Sequence, residues 1–133
     1  MMTDKEKYFI ETFIAKDRQE RLLYEFSHEK KRYKGLDRFS HQSKQLLDPK
    51  KIIAEGIDLF DQKVFLDHLK KHKDEEVYIA STDAYYDGMS LSLEEAIRES
   101  ALFMEAVIII GKGYAIVIGE AMKGGSDKYL LAE

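Results

Sequence analysis

The stretch Val107-Ile108-Ile109-Ile110-Gly111-Lys112-Gly113-Tyr114-Ala115-Ile116-Val117-Ile118 decides the fold class. Two runs rich in β-branched residues flank a short glycine-containing turn, the pattern of paired strands in a tight hairpin. Within each run the apolar residues are successive, not alternating. A strand of that kind is covered on both faces, so this sheet needs helices on each side. A phosphate-binding glycine loop has to open a helix. Gly111-Lys112-Gly113 joins two strands and reads as a turn.

Further strands lie on either side of the hairpin. Gly124-Gly125-Ser126-Asp127 predicts a turn and Tyr129-Leu130-Leu131 a last short strand. Upstream, Val77-Tyr78-Ile79-Ala80 predicts a strand and Asp87-Gly88 a turn. Ser92 with Glu95 forms a capping box that opens a helix through Ala96, Ile97, Ala101 and Leu102 to about Phe103.

The N-terminal part has helical periodicity instead. Thr3 with Glu6 is a second capping box, and Tyr8, Phe9, Ile10, Phe13 and Ile14 follow, so a helix is expected over about residues 4–15. Asp17 with Glu20 opens another, carrying Leu22, Leu23, Phe26 and Tyr33. It either runs to Lys34, with Gly35 as the residue past its end, or breaks near Ser27. Asp48-Pro49 predicts the start of a short helix closed by Gly56, and Asp58 or Asp61 the start of one reaching Lys73. Helices followed by strands give an α+β fold: N-terminal helices packed on a small, mainly antiparallel C-terminal sheet with one further helix. The 133 residues suit a single domain, helical over about 1–74 and strand-rich over about 75–133.

The chain has no cysteine, which removes disulfides, thiolate metal sites and cysteine nucleophiles. Its first residues are charged and carry no apolar leader. The longest apolar run is broken by glycine and too short to span a bilayer. These features lead us to expect a cytoplasmic protein with no membrane partner. The net charge of −4 is unevenly spread, with residues 28–51 net +5 and residues 52–133 net −8. Such a basic block favours an anionic partner. Lys30, Lys31, Arg32, Lys34 and Arg38, interleaved with Tyr33 and Phe39, are the nucleic-acid-binding candidates. The competing reading is a basic surface that pairs with the chain's own acidic C-terminal half.

No catalytic constellation stands out. His68 and His72 are four residues apart, on the apolar side of the helix expected to reach Lys73. A catalytic zinc normally takes three protein ligands, and only distant carboxylates or His28 and His41 remain for the third. The pair therefore reads as half-buried histidines hydrogen-bonded to backbone or carboxylate, and no metal or cofactor is expected. A metal-dependent enzyme using His68 and His72 is the third-ranked alternative. Glu94, Glu95 and Glu99 lie at a helix start, where the helix dipole favours acids. The polar stretch after the first C-terminal strand carries hydroxyls, carboxylates and two tyrosines, in a position where sites often form. Tyr78, Asp83, Tyr85, Tyr86 and Asp87 are the partner-binding candidates, since tyrosines anchor interfaces. The leading expectation is a non-enzymatic protein-interaction or regulatory module, of an inhibitor or immunity type. A nucleic-acid-binding accessory protein is the second. Pairing of two copies through an edge strand, either Tyr129–Leu131 or Val77–Ala80, would give a homodimer.

Overall fold

A computed structural model describes residues 2–100, 106–119 and 126–133. The fold is α+β, with N-terminal helices and a six-stranded antiparallel sheet. In chain order the elements are α1 (Asp4–Phe13), α2 (Lys16–Ser27), α3 (Glu29–His41), α4 (Ser43–Leu46), β1 (Ile52–Glu55), α5 (Lys63–His72), β2 (Glu76–Ser81), β3 (Ser90–Ser92), α6 (Leu93–Ser100), β4 (Val107–Ile110), β5 (Tyr114–Ile118) and β6 (Lys128–Ala132). The strands lie in the order β1-β6-β5-β4-β2-β3. No helix among the described residues is long and apolar enough to cross a membrane.

The central hairpin forms as its sequence predicts. Val107 pairs with Ile118 and Ile110 with Ala115, and Gly113 takes the positive φ of 87° that closes the turn. Side chains alternate across a strand, so the two faces can be sorted. Ile108, Ile110, Ala115 and Val117 point into a core shared with Phe9, Phe13, Phe26 and Phe39 of α1–α3. Val107, Ile109, Tyr114, Ile116 and Ile118 point into a second core with Phe65 of α5 and with Leu93 and Ala96 of α6. The unbroken apolar runs are thus explained by helices on both faces.

Several local expectations change, and the break expected near Ser27 is realised. After Asp48-Pro49 there is only one 3-10 turn, Pro49–Lys51, before the chain enters β1. The Asp48 side chain does cap that turn, accepting from the Lys50 amide at 3.0 Å. Pairing of Ile52–Glu55 with β6 then outweighs helix propagation, which places a strand inside the part expected to be helical. Gly35 lies within α3 and is buried, not past the helix end. A Cβ there would stand 3.0 Å from the Phe26 ring, so glycine lets α2 and α3 approach closely. The break between those helices is His28, whose extended backbone closes one and opens the other. Finally, β2 and β6 are interior strands, and the sheet ends on β1 and β3. Both edges are short, and β1 carries a register shift between Ile52 and Ala54, features that discourage edge-to-edge pairing. The expected extension of α6 past Ser100 and the glycines of the expected 124–127 turn lie outside the described residues.

Candidate functional site

The segment between β2 and β3, residues 82–89, holds most of the partner-binding candidates, and internal hydrogen bonds order it. The Ser81 hydroxyl donates to the Ala106 carbonyl at 2.8 Å and accepts from the Asp83 amide at 3.0 Å. The Asp83 carboxylate accepts from the Tyr85 amide, and its carbonyl accepts from the amides of Tyr86 and Asp87, each at 3.0 Å. This is the turn-forming habit of aspartate. Gly88, at φ 86°, donates to Ile79 and returns the chain to the sheet. Tyr85 packs edge-on against Tyr86 with ring centroids 4.7 Å apart. The Tyr86 hydroxyl reaches Glu99 of α6 at 3.3 Å. Tyr85 remains 73% exposed, more than any other large hydrophobic side chain described.

Behind the loop lies a cluster of charges. Asp87 accepts from the Ser81 amide at 3.1 Å and from Arg32 at 2.8 and 3.1 Å. Arg32 also donates to both oxygens of Glu6 at 2.7 Å. The Tyr78 hydroxyl donates to Glu6 at 2.8 Å, and Thr3 closes the set through the α1 capping box. Glu6 is wholly buried, a costly position for a carboxylate unless it is paired and hydrogen-bonded. Here both of its oxygens are satisfied. Burial alone would lower the Arg32 pKa, but its bonds to Glu6 and Asp87 outweigh that and hold it above its ordinary value. Burial, followed by the bond to Glu6, pushes the Tyr78 hydroxyl up to about 12. The cluster ties α1, α3, β2 and loop 82–89 together.

The candidates therefore separate. Tyr78 is buried and leaves the exposed patch. Asp87 is turned inward onto Arg32, and Asp83 shapes the loop, which leaves Tyr85 and Tyr86 as the candidates for contact. The basic block also divides. Arg38 spends its guanidinium on buried Glu25 through two bonds of 2.8 Å, as Arg32 does on Glu6 and Asp87. Lys44 pairs with Glu55 at 2.9 Å. The internal partners thus come from α1 and α2 as well as from the later half. Lys30, Lys31 and Lys34 stay exposed.

On the opposite face of the sheet, His68 and His72 turn inward as their helical spacing predicts and meet Tyr114. The His68–Tyr114, His68–His72 and His72–Tyr114 ring centroids are 4.4, 4.5 and 5.1 Å apart. His72 Nδ1 lies 2.7 Å from the Glu75 carboxylate, a partner of the kind expected for both histidines. His68 Nε2 and the Tyr114 hydroxyl are buried with no hydrogen-bond partner. Burial, then the neighbouring His72, lowers the His68 pKa to about 4, and burial raises that of Tyr114. Among the described residues no group of three or more His, Cys, Asp or Glu is arranged to hold a metal ion.

Sequence reasoning missed Glu6 and Tyr114. Glu6 was visible only as a helix cap, and Tyr114 only as a strand residue. Both meet their partners through contacts distant in the chain. A scan against protein-family models and searches of curated proteins and of solved structures each found no match for this chain.

Proposed function

We propose that this protein is a non-enzymatic interaction module of inhibitor or regulatory type, which contacts a protein partner through Tyr85 and Tyr86 on loop 82–89. One observation carries the reading: a tyrosine 73% exposed stands on a loop whose base is pinned by a buried charge cluster. A loop ordered before binding loses little entropy on association. Tyrosine brings a large, rigid contact surface and is enriched among residues that dominate interface energies.

A photocrosslinking amino acid in place of Tyr85, introduced in the cells the protein comes from, tests this. The expected result is a discrete crosslinked protein that is absent when the same group replaces exposed Tyr24 of α2. Identical products at both positions, or none at position 85, would overturn the reading. The nucleic-acid alternative now rests on Lys30, Lys31 and Lys34 without Arg32 or Arg38. Its test is fluorescence anisotropy of labelled single- and double-stranded nucleic acid across a salt series, where phosphate contacts produce affinity that falls steeply with salt.

A further inference from the structure

We infer that His68 and His72 bind one divalent transition-metal ion, with the remaining coordination positions open to water and the Tyr114 hydroxyl hydrogen-bonded to one such water. This inference does not rest on the proposed function and uses neither Tyr85 nor Tyr86.

Residues four apart on a helix share a face, and this face of α5 also carries buried Phe65, so both imidazoles are directed at the sheet. They meet a tyrosine whose own position is fixed. The Tyr114 ring lies against the Gly111 backbone so closely that any Cβ at Gly111 would overlap it. Three polar rings from α5 and β5 are therefore in mutual contact, with buried Tyr114 in the apolar core and the two partly buried histidines beside it.

Two of these rings also have unmet hydrogen bonding. Buried polar atoms in folded proteins nearly always have a partner, and an orphan calls for a bound water or ion. Here two orphans, His68 Nε2 and the Tyr114 hydroxyl, belong to side chains in contact with each other. Tyr114 is only 2% exposed, so bulk water does not account for its hydroxyl.

His72 has a supporting group of its own. Its Nδ1 lies 2.7 Å from Glu75. A carboxylate at Nδ1 leaves Nε2 as the nitrogen free to face a metal, the outer arrangement that orients metal-bound histidines. Imidazole donors suit zinc, copper and nickel, whereas calcium and magnesium prefer oxygen. With two histidines and no third ligand of the usual kinds among the described residues, the site is an open, exchangeable one, unlike a closed four-ligand centre.

Protein without an affinity tag, dialysed against zinc chloride and in parallel against copper sulfate, tests the inference by metal analysis and titration calorimetry. One equivalent of metal is expected. The electron paramagnetic resonance spectrum of the copper form should show nitrogen couplings from two imidazoles, a readout that needs no variant. His68→Gln and His72→Gln should each weaken binding at least about 10-fold, and Glu75→Gln about 10-fold. Circular dichroism establishes that these variants are folded. Tyr114→Phe keeps the ring and should weaken binding several-fold; unchanged affinity would remove Tyr114 from the site. Substoichiometric uptake by the wild-type protein would overturn the inference. So would uptake unchanged in the His68→Gln/His72→Gln variant, which would place the metal at His28, His41 or another surface group.

Discussion

Arg32 and Glu6, 26 residues apart, form a two-pronged ion pair with both bonds at 2.7 Å, although the Glu6 side chain has no exposed surface and that of Arg32 only 17%. For a pair so buried, the net attraction is small once desolvation is counted, whereas removing one partner leaves an uncompensated charge in the core. Replacing Arg32 with Met would strand the Glu6 carboxylate and leave Asp87 without its guanidinium. Arg32→Met is expected to destabilise the protein by about 3–5 kcal/mol. Urea unfolding would measure this, and a loss below about 1 kcal/mol would show that Glu6 finds another partner or takes up a proton.

Asp87 links that pair to the candidate interaction loop. Asp87→Ala removes the acceptor for the Ser81 amide and for two nitrogens of Arg32. The expected cost is about 1–3 kcal/mol. Amide hydrogen exchange over Tyr85–Met89 should also become faster, since the loop loses its tether. Unchanged exchange there would mean that the Asp83 turn alone orders the loop.

Tyr85 provides the converse case. Its ring is mostly exposed and touches Tyr86, so Tyr85→Ala should change stability by no more than about 0.5 kcal/mol. Partner affinity should fall by about 2 kcal/mol or more if Tyr85 anchors the interface. Thermal unfolding and calorimetric titration of the crosslinked partner separate the two effects.

Glu25 predicts a pH dependence. Hydrogen bonds from Arg38, against the opposing effect of burial, hold its carboxyl below the ordinary value of 4.5. A carboxyl depressed in the folded state adds stability that is fully present above its unfolded pKa and is lost as pH falls through the folded one. The contribution should therefore be intact at pH 7 and decline below about pH 4.5, where the unfolded chain begins to take up the proton first. Urea midpoints of wild-type and Glu25→Gln protein, measured from pH 7 down to pH 3, should converge toward the acid end. A constant gap across that range would contradict the assignment.

Gly111 and Gly113 flank one turn residue but should respond differently to alanine. At Gly111 the new Cβ would collide with the Tyr114 ring, an overpacking expected to cost about 1–3 kcal/mol. At Gly113 nothing lies within 4 Å, and only the φ of 87° opposes a side chain, at a cost of about 1 kcal/mol. Chemical denaturation of both variants would rank them. The reverse order would place the strain in the backbone instead of under the ring.

Much of this fold is readable locally. The capping boxes at Thr3 and Ser92, the stripe from Phe9 to Ile14 and the hairpin over Val107–Ile118 each form as their spacing predicts. Their causes lie within a few residues: a hydroxyl reaching an amide three positions on, a helical period of 3.6, an unbroken β-branched run, a glycine at positive φ. For the same reason the sequence alone determined that the sheet is covered on both faces, and that His68 and His72 turn inward together.

Tertiary structure decided what local pattern could not. Ile52–Glu55 comes after a valid helix-start signal, yet it becomes a strand because β6 offers it a ladder of hydrogen bonds. Arg32 and Asp87 looked like surface groups for two different partners, yet they bind each other across 55 residues of chain. Tyr78 exchanged an expected exposed role for a buried bond to Glu6. In each case the deciding group arrives from a distant part of the chain. Propensity and spacing describe what a segment can do by itself, whereas burial of charge and strand pairing depend on which neighbours the fold brings into contact.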